Sequence, residues 1–237
     1  MKNIEDVRQS VKAAAAELFG KAGYDKTSLE DIARRVGKTK TFVYYHFPGK
    51  LAVLDATLQD EFDGIRRQLE DVLAAYRETG PEQLEAYVDR RMNLIVNAPV
   101  YRAFTADRLK HACTDVSRTV NRRREAFDQW EREYFRRLCQ TGIDRGILSG
   151  EVDPDSFAEM TGMLLNGLEW YFLSAKTPET ARATFHKVVH HMVTGLLTQE
   201  GQKHPGGPAA APSGHTEGGE TGTGHPDKAE INSTTIS

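Results

Sequence analysis

The sequence has few cysteines, no long apolar runs and no sustained alternation of the kind that marks β-strands. Its 237 residues include only two cysteines, Cys113 and Cys139, which are too few for a disulfide framework and lack metal-ligand spacing. No apolar run approaches the roughly 18 residues of a bilayer-spanning helix, and no apolar signal segment follows the charged start at residues 2–8. These absences predict a cytoplasmic protein with reduced thiols and no membrane partner.

Catalytic and metal-binding motifs are also missing. We find no nucleophile elbow, no phosphate-cradling glycine loop and no complete set of metal ligands, so the sequence predicts neither an enzyme nor a cofactor. His186 and His190 lie four residues apart, but no carboxylate or cysteine is placed to complete a metal site. His204, His215 and His225 are spaced too widely to match a site pattern. A redox or metal sensor that uses the cysteines or the His186/His190 pair remains an alternative.

The charge of the chain is distributed unevenly. The net charge is −3, which alone argues against a protein that binds nucleic acid. Residues 1–50, however, contain ten Lys and Arg against six Asp and Glu and carry +4, whereas the remainder carries −7. A basic amino-terminal head on an acidic body is expected if only the head meets phosphate.

Apolar residues recur at the three- and four-residue spacing of amphipathic helices along most of the chain. The predicted helices, about nine in number, cover residues 4–22, 28–36, 39–47, 51–76, 82–96, 99–112, 116–145, 154–175 and 178–199. Gly23, Gly37 and the Pro48-Gly49 pair end the first three, and Thr27 or Ser28 is placed to cap the second. The predicted fold class is all-α.

The carboxy-terminal residues differ in composition from the rest. Residues 201–237 contain eight of the twenty glycines and four of the nine prolines, with no aromatic side chain and only two large aliphatic ones. Such a stretch cannot bury enough apolar surface to offset the entropy lost on ordering. We therefore predict a disordered tail over residues 200–237.

The segment VGKTKTFVYYHFPGK, residues 36–50, concentrates lysines and aromatic rings directly after a short capped helix. A helix, a turn and a second helix of this length form the arrangement by which a recognition helix enters the major groove of DNA. Gly37 makes the predicted turn, and the polar side chains around it provide donors for base edges and phosphates. The candidate DNA-contacting residues are Thr27, Ser28, Lys38, Thr39, Lys40, Thr41, Phe42, Tyr44, Tyr45, His46 and Lys50.

Each of these residues also has a structural interpretation. Val43 and Phe47 are predicted core residues, and Phe42 either lies against a thymine methyl group or joins them in the core. The lysines of the segment could form an ordinary solvated face. Their order and spacing after a capped helix favour contact with DNA.

The segment TSLEDIARRVGKTKTFVYYHFPGKLAVL resembles the DNA-binding signature of the TetR/AcrR family of transcriptional regulators, and VKAAAAELFGKAGYDKTS is similar to that family's first helix and loop. The resemblance covers about residues 4–64. It implies a homodimer that binds double-stranded, palindromic operator DNA and responds to a small-molecule effector in its carboxy-terminal domain. By position, the phosphate-contacting residues would be Thr27, Tyr44, His46 and Lys50, and the base-reading residues Thr39, Lys40, Thr41 and Phe42.

The sequence departs from the family pattern on the reading surface itself. Many members have Val where this chain has Lys38, and Gly-Thr where it has Thr41 and Phe42. The operator therefore cannot be inferred from a relative.

Aromatic and methionine side chains in the middle helices are predicted to line an effector pocket, although the same residues could simply form core. The candidate pocket residues are Met92, Phe104, His111, Trp130, Tyr134, Met163 and Trp170. The run NRRRE at residues 121–125 is predicted to be a solvated helix face, with a second DNA contact as the alternative.

The last two predicted helices are apolar on broad faces that either complete a core or meet a second copy, and the resemblance favours a dimer interface. The candidate interface residues are Phe157, Met160, Leu164, Leu168, Phe185, Val189, Met192 and Leu196.

We therefore predict a helix-turn-helix DNA-binding domain over residues 4–64, with its motif at about 28–47, and a helical effector-binding and dimerisation domain over residues 65–199. The predicted function is a ligand-responsive transcriptional repressor that is associated with the nucleoid when bound to DNA.

Overall fold

The computed structural model describes residues 4–75, 81–106 and 114–174, together with residues 187, 188, 190, 191 and 194. Within these residues the chain forms eight α-helices and no β-strand, which confirms the all-α prediction. The helices are α1 (Ile4–Ala22), α2 (Leu29–Arg35), α3 (Lys40–His46), α4 (Lys50–Ala74), α5 (Pro81–Val96), α6 (Pro99–Ala106), α7 (Asp115–Asp144) and α8 (Pro154–Ser174).

Some of the predictions lie outside the described residues. They concern most of the ninth predicted helix, the tail at residues 200–237, and the candidate residues Cys113, His111, Phe185, Val189, Met192 and Leu196. In the part of the chain that is described, no helix is long and apolar enough to cross a bilayer.

Local capping defines the short helices of the amino-terminal head. Ser28 caps α2 in a capping box: its hydroxyl accepts from the backbone N–H of Asp31 at 3.1 Å, and the Asp31 carboxylate accepts from the Ser28 N–H at 2.9 Å. Gly37 turns the chain with a φ of +67°, a left-handed conformation that favours glycine. Thr39 then caps α3 by accepting from the N–H of Phe42 at 3.3 Å. The head is therefore a helix-turn-helix held by its own local hydrogen bonds.

One hydrophobic core runs through the head and into the body. Its most buried members in the head include Val11, Ala15, Phe19, Ile32, Val43, Phe47, Val53, Leu54 and Leu58. The prediction that Val43 and Phe47 are core residues is confirmed. Helix α4 continues from this core into the body, where Leu69 and Leu73 are buried, so it passes through the predicted domain boundary at residue 64. Helix α4 is therefore shared by the head and the body.

Helix α6 joins the two parts at a second place. Its first residue, Pro99, lies so close to Gly20 of α1 that a Cβ on Gly20 would be 2.9 Å from the Pro99 Cβ. The carboxylate of Glu61 on α4 accepts hydrogen bonds from the backbone N–H groups of Val100 at 3.0 Å and Tyr101 at 2.8 Å. Burial raises the pKa of Glu61, while these two hydrogen bonds act in the opposite direction. The amino terminus of α6 is therefore docked on both α1 and α4.

Candidate nucleic-acid interface and effector region

Helix α3 presents a polar and aromatic face to solvent because its apolar residues face inward. Val43 and the following Phe47 are buried, whereas Tyr44 and Tyr45 are exposed, Tyr45 to 80%. Thr39, Lys40 and Thr41 are exposed as well. The face carries hydrogen-bond donors and acceptors on a helix that its buried residues hold rigidly against the core. A recognition helix requires this arrangement.

Lys38, Phe42 and His46 form a row along one side of this face. The Lys38 ammonium lies 5.2 Å from the centroid of the Phe42 ring, and the Phe42 and His46 rings meet edge to face at 5.0 Å. Phe42 is half-buried and forms part of the wall of a groove of about 410 Å³ between α1 and the helix-turn-helix, which Val11 and Val36 also line. Phe42 is therefore neither a full core residue nor a freely exposed one, and Lys38 faces outward.

Lys40 is held by an acidic side chain of the preceding helix. Its ammonium donates to a carboxylate oxygen of Glu30 at 2.8 Å, and both side chains are about half exposed. This hydrogen bond raises the pKa of Lys40. Lys40 remains fully charged at neutral pH but is already paired.

The structure corrects the expectation for Thr27. Its side chain is only 3% exposed, and its hydroxyl donates to the carbonyl of Gly23 at 2.9 Å, so the hydroxyl does not face outward toward a phosphate. The Ser28 hydroxyl is half-buried and engaged in the capping box. A buried hydroxyl needs an internal hydrogen-bond partner. The internal hydrogen bonds of Thr27 and Ser28 hold the start of α2 in place.

Lys50 is likewise engaged within the protein. Its ammonium donates to the backbone carbonyls of Tyr24 and Thr27, each at 2.8 Å, and lies 4.0 Å from the centroid of the Tyr24 ring. Burial lowers the pKa of Lys50. In this arrangement Lys50 ties the α1–α2 loop to the start of α4, and its contact with phosphate stays a prediction.

Arg8 is a residue of this region that the sequence did not indicate. Its guanidinium donates to the carbonyl of His46 at 2.6 Å and lies 4.4 Å from the centroid of the Phe47 ring. A cation at the carboxyl end of a helix complements the helix dipole. The partners are 38 residues apart, so no local spacing marks Arg8 as a residue that positions α3.

The candidate pocket residues that the structure describes, all but His111, do not line one cavity. Met92 and Phe104 are buried and Trp130 and Tyr134 half-buried, but Met163 is 66% exposed and Trp170 58% exposed on α8. The prediction that Met163 and Trp170 line an interior pocket is corrected, because both side chains are largely exposed; Met163 lines only a cleft of about 140 Å³ between α7 and α8, together with Asp128 and Glu131.

The interior between α5, α7 and α8 is polar instead. The fully buried Arg91 donates to both carboxylate oxygens of Glu131, at 2.7 and 2.9 Å, and lies 3.5 Å from Glu169. Tyr87 donates to Glu131 at 2.5 Å, and Tyr101 donates to Glu169 at 2.8 Å. Burial disfavours the charge on Arg91, but the two glutamates outweigh it and raise its pKa.

The NRRRE run is solvated at Asn121, Arg122 and Glu125, as predicted, whereas the half-buried Arg123 and Arg124 correct the prediction for the rest of the run. Arg124 donates to Glu169 at 2.6 Å and to Asp128 at 2.9 Å. Arg123 pairs with both carboxylate oxygens of Asp55 on α4, at 2.7 and 2.6 Å, and Arg122 adds a third bond to the same carboxylate at 2.8 Å. The run therefore fastens α7 to α4 and α8.

The candidate interface residues on α8 fall into two groups. Phe157 is buried within this subunit, which corrects its assignment to an intermolecular face, and its ring lies 6.5 Å from that of Phe135. Leu164 and Leu168 are half-buried and pack on the core of the same chain. Met160 is 47% exposed, and Met163, three residues further along α8, is exposed as well.

Comparison with known proteins relates the head to one family of DNA-binding domains. Residues 12–57 match the model of the bacterial regulatory proteins of the tetR family. The HTH-type transcriptional regulator SrpR of Pseudomonas putida is 27% identical over 213 residues, which cover 84% of this chain and 92% of SrpR.

Solved structures show the same fold over most of the chain. A TetR transcriptional regulator from Chloroflexus aurantiacus has a TM-score of 0.67 and 24% identity, covering 83% of this chain and 98% of that one. A TetR/AcrR-family regulator from Thermobifida fusca has a TM-score of 0.55 and 26% identity, covering 79% and 96%. These structures resemble this chain in both head and body.

Proposed function

This chain belongs to the TetR/AcrR family of transcriptional regulators, and from that premise we propose that it is a repressor that binds a palindromic operator as a homodimer and leaves it when a small-molecule effector binds. The observation that carries the proposal is the outward face of α3. Thr39 caps α3, and the buried Val43 and Phe47 anchor the helix in the core. The polar side chains of the outward face are therefore presented on a rigid helix. Such a helix fits the major groove of B-DNA.

The exposed apolar side chains of α8 support the homodimer. Met160, Met163 and Trp170 lie at helical spacing, and large exposed apolar side chains grouped on one helix are typical of an interaction surface. A two-fold dimer would place two copies of α3 about 34 Å apart, one turn of DNA. The two-fold symmetry is the reason for a palindromic operator, and the spacing sets the distance between its two halves.

The contacts of Tyr101 support a route for effector control. Its hydroxyl donates a hydrogen bond to Glu169 in the polar interior, and its backbone N–H donates one to Glu61 of α4. An effector that rearranges the interior would move α6, and α6 contacts both α1 and α4. Operator and effector would then weaken each other equally, and a tenfold loss of operator affinity needs a coupling free energy of only about 1.4 kcal/mol.

The redox-sensing alternative has little structural support. Cys139 is fully buried, and burial raises the pKa of its thiol, so the reactive thiolate is scarce at neutral pH. Among the described residues, no three His, Cys, Asp or Glu side chains converge on a possible metal site.

Direct DNA binding tests the proposal. DNA from upstream of the gene that encodes the chain is compared with a scrambled duplex by fluorescence anisotropy at two salt concentrations, and the mass of the free protein is measured by light scattering. We expect a dimer that prefers the upstream DNA, with Thr41→Ala weakening that preference and Thr141→Ala, an exposed threonine of α7, leaving it unchanged. Equal, weak binding of both duplexes would contradict the proposal.

A further inference from the structure

The ion pair between Glu30 and Lys40 places a carboxylate next to the reading surface. Lys40 is the first residue of α3, and Glu30 lies in the first turn of α2, so the pair bridges the two helices of the motif. The bonded oxygen and nitrogen are 2.8 Å apart, and both side chains remain about half exposed. Glu30 is thus an acidic group held at the amino end of the recognition helix.

The length of this bond limits where the two groups can lie on DNA. Base pairs stack about 3.4 Å apart along B-DNA, and residues at the amino end of a recognition helix contact base edges. When the Lys40 ammonium reaches a base edge, a carboxylate 2.8 Å away lies over the same base pair or its neighbour. Glu30 therefore accompanies Lys40 into the groove.

We propose that Glu30 is a specificity-determining residue of the operator contact: its carboxylate accepts a hydrogen bond from the exposed amino group of a cytosine in the major groove, with Lys40 positioning it. This inference rests on the proposed function. Cytosine N4 is the donor that a glutamate recognises in the major groove, and the guanine paired with it offers Lys40 two acceptors, O6 and N7. The ion pair is therefore complementary in charge to a G·C pair.

The same carboxylate disfavours other sequences. Where no amino group lies beneath it, Glu30 brings a negative charge toward the phosphates without receiving a hydrogen bond. Repulsion of this kind raises the difference between correct and incorrect sites, because it costs affinity mainly at the incorrect ones. Glu30 consequently lowers nonspecific binding while supporting the cognate base pair.

The test compares base preferences of the full chain and its variants. A duplex is first selected from a random-sequence library with the wild-type chain, and each base pair is then substituted in turn while affinity is measured by anisotropy. At one position per half-site the wild-type chain should prefer cytosine by about fivefold or more, the size of a typical base mismatch. Glu30→Gln should lose that one preference, keep the others, and bind a scrambled duplex about two- to fivefold more tightly, the scale of one exposed charge pair.

Two comparisons isolate the effect. Glu70→Gln is the matched control, because Glu70 forms an ion pair of similar length, 2.9 Å, with Arg66 on α4, and it should change no preference. In a Lys40→Ala background, Glu30→Gln should have a much smaller effect on the cytosine preference, because Lys40 no longer positions the carboxylate.

The outcomes separate this inference from the proposed function. If the wild-type chain selects a duplex and Glu30→Gln retains every base preference, or loses all of them alike, the role of Glu30 is contradicted while the repressor proposal stands. A full effect of Glu30→Gln without Lys40 also contradicts it. If the wild-type chain selects no sequence, the proposed function fails and this inference fails with it.

Discussion

Replacing Arg91 with methionine tests whether the polar interior holds the body together. Arg91 is fully buried and pairs with Glu131 through two hydrogen bonds, at 2.7 and 2.9 Å, with Glu169 at 3.5 Å. Methionine fills much of the same volume but leaves the buried Glu131 carboxylate without its cation, whereas Glu169 keeps its pair with Arg124. Breaking a buried ion pair from one side costs about 3–5 kcal/mol, a large part of the 5–15 kcal/mol by which a typical domain is stable.

Urea unfolding followed by circular dichroism measures this loss, with all proteins at one concentration because a dimer's stability depends on it. The control is Arg122→Met, since the Arg122 side chain is 64% exposed and its pair with Asp55 should contribute no more than about 1 kcal/mol. Adding Glu131→Leu to Arg91→Met should recover part of the loss, because it removes the carboxylate that Arg91→Met leaves without a cation. A loss no larger than the control, or no recovery in the double variant, would refute the reasoning.

Three further predictions concern the junction of head and body and the surface of α8. Gly20→Ala should destabilise the protein by about 1–3 kcal/mol in thermal unfolding through overpacking against α6, whereas Gly64→Ala, where only the end of one arginine side chain lies within 4 Å, should be neutral or stabilising. Because burial raises the pKa of Glu61 above its ordinary 4.5, its contribution to stability is present below pH 4.5 and is lost as pH rises through the raised value. Glu61→Gln should therefore flatten the fall in stability above pH 4.5, and an unchanged pH profile would contradict the assignment. Met163→Glu should shift the dimer toward monomer in sedimentation at micromolar concentration without lowering the helix content, and an unchanged mass would exclude this face of α8 from the interface.

The helices could be predicted from the sequence because their signals are local. Apolar spacing and turn residues identified all eight described helices, most of them to within two residues at each end, while the predicted end of α6 at residue 112 lies outside the described residues. The cap of α2 proved to be Ser28 rather than Thr27. Asp153 accepts from the N–H of Ser156 at 2.9 Å just before α8. Each of these features depends on residues within one turn of each other.

The corrected predictions depend on contacts that no local pattern contains. Arg91 meets Glu131 and Glu169 across 40 and 78 residues, and an arginine on an amphipathic helix is normally predicted to face solvent. The apolar character of Met163 and Trp170 predicts an interior position, yet α8 is apolar on more than one face, so periodicity cannot say which face is covered by the same chain. Thr27 matches a DNA-contacting position by sequence, whereas its buried hydroxyl donates to a carbonyl of the α1–α2 loop.

The same distinction applies to the DNA-contacting surface. The order of residues in α3 indicated which side chains face outward, since burial alternates with the helical period. The pairing of Lys40 with Glu30 and of Arg8 with His46 could not be read from spacing, because each joins residues on different helices.

The central claim is that the α3 face reads a DNA sequence, and the measurement that tests it most directly is the affinity of the wild-type chain for its selected duplex and for a scrambled duplex as salt is varied. We predict a preference for the selected duplex that persists at every salt concentration, with log K falling by about 0.9 per contacted phosphate for each unit of log salt concentration. Thr41→Ala should reduce the preference while leaving the slope nearly unchanged. Equal affinity for the two duplexes, or a Thr41→Ala variant with the full preference, would contradict the claim.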